Sequence, residues 1–223
     1  MEISFSLYEN EEKKFLITKK IFRVLVVGTD NTIKIWETNK MVNEKFEFPK
    51  GVGKINNFSV FEHDVIQKTT RFFLSTDSGF VFLLCWSKLS DSINILNKFH
   101  VSNDPVKRIC SNHSHFYFFA SKKLFAFDFL SSKIVFEFSF ENYEEETKEN
   151  LKIMKMIDFR EYNFIFLTFG SVLFVLKILE EKFDLVSKFQ TDFPFLDLVQ
   201  LNEEEVIASA NNEEIVLLNL KNI

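Results

Sequence analysis

The chain has 223 residues, 46% hydrophobic and 26% charged, proportions that exclude wholesale disorder and leave ample chain for a core. Lys+Arg 27 against Asp+Glu 32 gives a net charge of −5, which argues against a mainly electrostatic nucleic-acid binder. Thirty Phe stand against 4 Tyr and 2 Trp, while Gly and Pro number only 5 and 3. Phe, Lys, Asn and Ile have A/T-rich codons, so the Phe excess reads as coding bias and not as a ligand cage. The start, Met-Glu-Ile-Ser-Phe-Ser, lacks the apolar core of a secretory signal. The longest charge-free stretch, residues 162–176, is too short for a membrane span and is broken by Gly170-Ser171. Two cysteines, Cys85 and Cys110, suit a reduced protein, so an intracellular location (nuclear, cytoplasmic or both) away from membranes is expected.

Short apolar runs rich in β-formers recur along the chain, and no long stretch with helical period competes with them. Five of them share a turn followed by a strand: residues 26–37, 74–83, 118–128, 166–175 and 207–219. Their equivalent anchors are Trp36, Leu83, Phe127, Val175 and Leu218, spaced by 47, 44, 48 and 43 residues. A period in the forties made of short strands predicts an all-β chain: a small β-propeller of about five four-stranded blades. The inner strands are expected at 15–18, 55–61, 106–111, 151–157 and 195–200. The fourth strands are expected to begin at Lys45, Ile93, Ile134 and Phe183.

The scarce bend-formers agree. Gly28, Gly79 and Gly170 fall in the turn between second and third strands, and Pro49, Gly51, Gly53, Pro105 and Pro194 fall between blades. The acidic run 141–150 at the third junction reads as a solvated loop. Too few residues follow Leu218 for a fourth strand, whereas residues 3–8 (Ile-Ser-Phe-Ser-Leu-Tyr) alternate as a strand should. This N-terminal strand is expected to complete the last blade and close residues 1–223 into a single domain, which would remove unpaired edges.

Gly28-Thr-Asp-Asn-Thr-Ile-Lys-Ile-Trp36 resembles a WD40 repeat. In that family the turn Asp receives hydrogen bonds that brace the blade, and an aromatic ends the third strand. The resemblance assigns the bracing role to Asp30 and Asp77, the aromatic to Trp36, and the closing dipeptide to Phe127-Asp128. Within the family, the order of features is similar to the non-catalytic WD40 subunit of tRNA (guanine-N7) methyltransferase. The segments concerned are Lys45-Phe-Glu-Phe-Pro-Lys50, Ser75-Thr-Asp-Ser-Gly-Phe-Val-Phe82, Val106-Lys-Arg-Ile-Cys110, Leu124-Phe-Ala-Phe-Asp-Phe129 and Val172-Leu-Phe-Val-Leu-Lys-Ile-Leu179. Asp77 stands where that family has Lys, and that family's Ser-Asp-Arg-Asp-Glu segment has no counterpart. The resemblance implies a subunit that does no chemistry and clamps a methyltransferase. The alternative is a WD40 scaffold of another intracellular complex, in chromatin assembly or associated with the ribosome.

The sequence carries few chemical motifs. No Gly-rich phosphate loop or Gly-x-Ser-x-Gly elbow exists, so neither a cofactor nor an enzyme is expected. Cys110, His113 and His115, with His100 as a distant fourth, have a metal-like spacing but read as ordinary strand-end residues, so no metal is expected. Asp197 and Asp158 on or beside inner strands are the carboxylates a small propeller hydrolase would need, a distant third reading. One basic cluster, Lys13, Lys14, Lys19, Lys20 and Arg23 with Lys50 and Lys54, is a candidate contact for a protein partner or RNA.

Overall fold

The computed structural model describes residues 13–14, 23–28, 32–37, 40–64, 66–87, 89–90, 92–112, 114–159, 162–202, 204–211 and 215–222. Most of the described residues lie in strands, a share far above the 20–25% usual in globular proteins. Helix among the described residues is confined to two 3-10 turns, Glu141–Tyr143 and Leu220–Asn222. The chain is therefore all-β.

The strands are β1 (Lys13–Lys14), β2 (Arg23–Gly28), β3 (Thr32–Glu37), β4 (Lys40–Glu47), β5 (Ile55–Asp64), β6 (Thr69–Thr76), β7 (Phe80–Ser87), β8 (Ser92–His100), β9 (Arg108–Ser111) and β10 (His115–Ala120). They continue as β11 (Lys123–Asp128), β12 (Lys133–Ser139), β13 (Leu151–Phe159), β14 (Tyr162–Phe169), β15 (Val172–Ile178), β16 (Phe183–Gln190), β17 (Phe195–Gln200), β18 (Glu205–Ala210) and β19 (Ile215–Asn219). They form antiparallel meanders: β1–β4, β5–β8, β9–β12 and β13–β16 have four strands, and β17–β19 has three. Each anchor, from Trp36 to Leu218, lies on the third strand of its sheet. Among the described residues no sheet is closed, and the expected closing strand, residues 3–8, lies outside them. Ile55, Leu151, Phe195 and Phe183 open their strands as expected. β8 and β12 begin one residue early and β9 two late, and the expected inner strand at 15–18 lies outside the described residues. One start differs by more. β4 begins at Lys40, directly after β3, and not at Lys45, because β3 and β4 form a tight hairpin that pairs Glu37 with Lys40. The acidic run is also more than a loop. It carries the first 3-10 turn, ion pairs join Glu144 to Lys122 and Glu146 to Lys188, and Thr147 is buried with its hydroxyl on the Tyr143 carbonyl.

Two compact units result, Met1–Val106 and Lys107–Ile223. In the first, Phe72, Leu74, Phe82, Leu84 and Trp86 of β6 and β7 pack with Ile33 of β3 and with Val52. In the second, β14 shows why its sequence, Tyr-Asn-Phe-Ile-Phe-Leu-Thr-Phe, has no polar alternation. Ile165, Leu167 and Phe169 face one apolar cluster, and Phe164 and Phe166 face another. A strand buried on both faces needs apolar side chains at every position. The outermost strands are the reverse: β8 and β12 are mostly exposed.

Bulges recur where the sequence carries no mark of them. In every four-stranded sheet the third-to-fourth strand pairing slips once; in three of them the slip leaves Leu96, Val135 and Val186 as the extra residues. Such slips bend the outer strand and increase its twist.

Gly79 closes the β6–β7 turn at φ +75, and a Cβ there would lie 1.7 Å from the Ser102 carbonyl oxygen. The approach is close because the Val101 and Ser102 amides donate to the Gly79 carbonyl. Gly79→Ala is expected to destabilise by roughly 2–3 kcal/mol, from left-handed backbone strain and backbone displacement together; chemical denaturation measures it. The third sheet manages its equivalent β10–β11 turn without glycine, Ser121 and Lys122 both adopting positive φ (50 and 58).

Candidate functional site

Asp77 sits in the β6–β7 turn, and its Oδ1 accepts the backbone N–H of Lys54 at 2.7 Å. The bond ties that turn to the start of β5, 23 residues earlier. The Ser78 hydroxyl donates to the same oxygen, and the Asp77 amide donates to the Lys54 carbonyl. Gly53 makes room for the carboxylate, since a Cβ there would be 1.9 Å from Asp77 Oδ1. Asp77→Ala is expected to cost about 1 kcal/mol, the net worth of such a bond at a partly exposed site, and a lowered urea midpoint with an unchanged slope checks it. Asp128 ends β11 and accepts the amides of Leu130 and Ser131, capping the turn into β12. These hydrogen bonds, those from Ser131 first, hold its carboxyl below the usual Asp range. Trp36 lies on β3 opposite Val24 and Met41, and Asp30 lies outside the described residues.

The described residues of the basic cluster belong to several elements. Lys13 and Lys14 form β1, Arg23 opens β2, and Lys50 and Lys54 are exposed in the connection from β4 to β5. Lys19 and Lys20 lie outside the described residues, as does His113. Cys110 is buried, and burial pushes its thiol well up, away from the thiolate that metal binding requires. His115 shares a hydrogen bond between its Nδ1 and the Ser114 hydroxyl. Among the described residues, no three His, Cys, Asp or Glu side chains converge to hold a metal ion. The Tyr117 hydroxyl accepts from Asn112, and burial raises its pKa. His100 lies at the end of β8, its ring 4.8 Å from that of Phe80.

Asp197 and Asp158 belong to neighbouring inner strands, β17 and β13. Asp197 Oδ1 accepts from Lys155 Nζ at 2.8 Å and from the Leu198 amide at 2.7 Å. Asp158 is exposed, and its carbonyl accepts from Gln200 Nε2. The paired carboxylate is held as a brace between strands.

The bonds between inner strands of the second unit follow one rule. Lys107 Nζ reaches Asn150 Oδ1 (3.1 Å), and Arg108 Nε reaches the Lys152 carbonyl (3.0 Å). Lys155 reaches Asp197 and the Leu198 carbonyl, and Gln200 reaches the Asp158 carbonyl. The separations are 43, 44, 42, 43 and 42 residues. Both partners advance together along the chain, so β9, β13 and β17 run parallel and in register at the sequence period. A second regularity lies at the start of the inner strands. β5, β13 and β17 each carry a bulge at their second residue: Asn56, Lys152 and Leu196. Sequence reasoning missed these bulges, for which the sequence carries no visible signal.

Repeated meanders with in-register inner strands match known structures. The chain superposes on the WD40 β-propeller domain of Doa1 with a TM-score of 0.60 at 11% identity, over 91% of this chain and 62% of that one. It superposes on U3-55K with a TM-score of 0.61 at 13% identity, over 96% of this chain and 65% of that one. The fold is WD40 β-propeller-like. The chain spans under two thirds of the length of either structure, so it matches part of each. No protein-family profile matches the sequence, and no curated protein matches it either. In WD40-like terms, β5, β9, β13 and β17 are inner strands, β4, β8, β12 and β16 are outer strands, and Asp77 braces a turn between second and third strands.

Proposed function

We propose that the chain is a non-catalytic WD40-like scaffold, one propeller closed by its N-terminal strand, that holds protein partners. The observation that carries this reading is the state of the polar residues on the inner strands. Lys155, Asp197, Arg108 and Gln200 are joined to neighbouring strands by hydrogen bonds at a constant offset, the arrangement of a rigid frame. Rigid frames suit binding, because a surface that is already ordered loses little entropy on association. Inside this class, the order of sequence features supports the non-catalytic subunit of a tRNA (guanine-N7) methyltransferase. The expected location is the nucleus, the cytoplasm or both.

Affinity capture of the tagged full chain with mass spectrometry tests the proposal. Recovery of a class I methyltransferase as the main partner, in near-equal amount, is the expected result. Recovery of chromatin-assembly or ribosomal proteins alone would reject the methyltransferase role and keep the scaffold. Turnover of a glycoside by the isolated chain, abolished in Asp197→Asn, would overturn the scaffold itself.

A further inference from the structure

We infer that the β5–β6, β7–β8 and β11–β12 turns are lipid-docking tips, which place Ile66, Leu89 and Leu130 in the interface of an anionic bilayer with Lys68 and Lys133 at its headgroups. The inference goes beyond the scaffold reading and sets aside the expectation of a chain away from membranes. Among the described residues no helix is long and apolar enough to cross a membrane, and docking from one side needs none.

Two of these turns are built alike. Asp64 accepts the amides of Ile66 and Gln67, and Asp128 accepts those of Leu130 and Ser131. Each turn then closes on a residue at φ 55, Lys68 in one and Ser132 in the other. In the β7–β8 turn the Ser87 hydroxyl accepts the Ser90 amide, so Leu89 takes the same place, two residues after the capping side chain. That place puts the side chain into water: Ile66 is 93% exposed, Leu89 74% and Leu130 96%. Turn chemistry does not demand an aliphatic residue there. Asn112 caps the β9–β10 turn and Asn202 the β17–β18 turn, with Ser114 and Glu204 at the equivalent place. Folding stability does not demand one either, because a side chain left in water gains nothing from burial.

In the first unit two tips act together. Asp64, Thr69, Ser87 and Ser92 pair in one row across the β5–β8 sheet, so both of its turns leave from one end. Their centres are two strand spacings apart, about 10 Å. In the second unit the β15–β16 turn carries the exposed Glu180 and Glu181, which an anionic surface repels, and the docking end is the β11–β12 turn. The surroundings of the tips favour lipid over a protein groove. Each tip stands alone among exposed polar neighbours, Gln67, Ser90, Ser131 and Ser132. A protein groove is matched by a continuous apolar surface, whereas a fluid bilayer admits separate tips. Lys68 and Lys133 are exposed beside two of the tips, and neither forms an ion pair among the described residues. An aliphatic tip with a lysine beside it matches the boundary between acyl chains and anionic headgroups.

The test is co-sedimentation of the full chain with vesicles of phosphatidylcholine containing about one third phosphatidylserine. Binding is expected that added salt weakens without abolishing. The double variant Ile66→Asp with Leu89→Asp is expected to bind at least about tenfold more weakly, at low and high salt alike. Lys68→Gln is expected to bind about fivefold more weakly at low salt, a difference that high salt erases. All three side chains are exposed, so the melting temperature is expected to stay at the wild-type value. Should the double variant fail to fold, Leu130→Ser changes one fully solvated side chain and is expected to weaken binding about threefold. Wild type that leaves the vesicles in solution, or unchanged binding in the folded variants, would overturn the inference. Loss of a captured protein partner in the tip variants, with no vesicle binding by wild type, would overturn it as well: the tips would then seat in a protein, and the scaffold reading would stand without the lipid.

Discussion

A chain lacking residues 1–9 is expected to aggregate or fail to fold. The last sheet has three described strands where the other four have four. Among the described residues its outermost strand, β19, pairs only with β18. Ile215 and Leu217 on that strand are 70% and 57% exposed, while Leu218 on the same strand is buried. An exposed apolar edge strand is a template for pairing with other chains. Residues 3–8 alternate Ile, Phe and Leu with Ser, Ser and Tyr, which suits a fourth strand with one apolar face. Under the proposed closure, truncation removes that strand and leaves the edge open. Size-exclusion chromatography and thermal melting check the outcome. A monomeric truncated chain that melts at the wild-type temperature would sink the closure.

Phe140→Ala is expected to cost about 3–5 kcal/mol, the range for emptying a phenyl-sized site in a close-packed core. Phe140 is fully buried at the end of the β9–β12 sheet. Its ring meets Phe119, Phe138, Phe169 and Phe174 at centroid distances of 5.8, 4.9, 5.5 and 5.3 Å. Two of these pairs are with strands β14 and β15 of the next sheet, so one side chain holds two sheets together. Its amide also donates to the Lys122 carbonyl, which fixes the entry into the acidic turn. Leu130, 96% exposed, supplies the contrast: Leu130→Ala is expected to move stability by less than about 0.5 kcal/mol. Denaturation of both variants by guanidinium separates the two cases. A Phe140→Ala midpoint equal to wild type would mean that the aromatic cluster is not the seam between the sheets.

Much of the architecture was legible in the residues. The inner strand at 195–200 agrees with β17 (Phe195–Gln200), and Phe183 opens β16 as expected. Pro105 and Pro194 lie between sheets, and Gly79 and Gly170 take positive φ in the turns where bends were placed. These features were readable because they depend on local chemistry: a residue without a Cβ, a residue without an N–H, a run of apolar β-formers. The start of β4 was misplaced because Lys40-Met-Val-Asn-Glu-Lys lacks an apolar run, and cross-strand pairing to β3 recruits it regardless. The candidate site was less legible. Asp77 was readable as a turn residue, but its bond to the Lys54 amide was not. Lys107 and Arg108 were visible as charges, and nothing near them announced that Arg108 would bond the Lys152 carbonyl one period on.

Composition, the period in the forties and the placement of eight bend-formers were enough to determine an all-β chain of repeated meanders. Local backbone preference and hydrophobic pattern act within a few residues, and a repeat multiplies that local signal. The bulges at Asn56, Lys152 and Leu196, the parallel register of β9, β13 and β17, and the Phe140 seam were decided by tertiary structure. Each depends on which residue of one strand meets which residue of another, up to 44 positions away for Arg108 and Lys152. That choice is made by packing and hydrogen bonding across the whole sheet, where no short stretch of sequence holds the information.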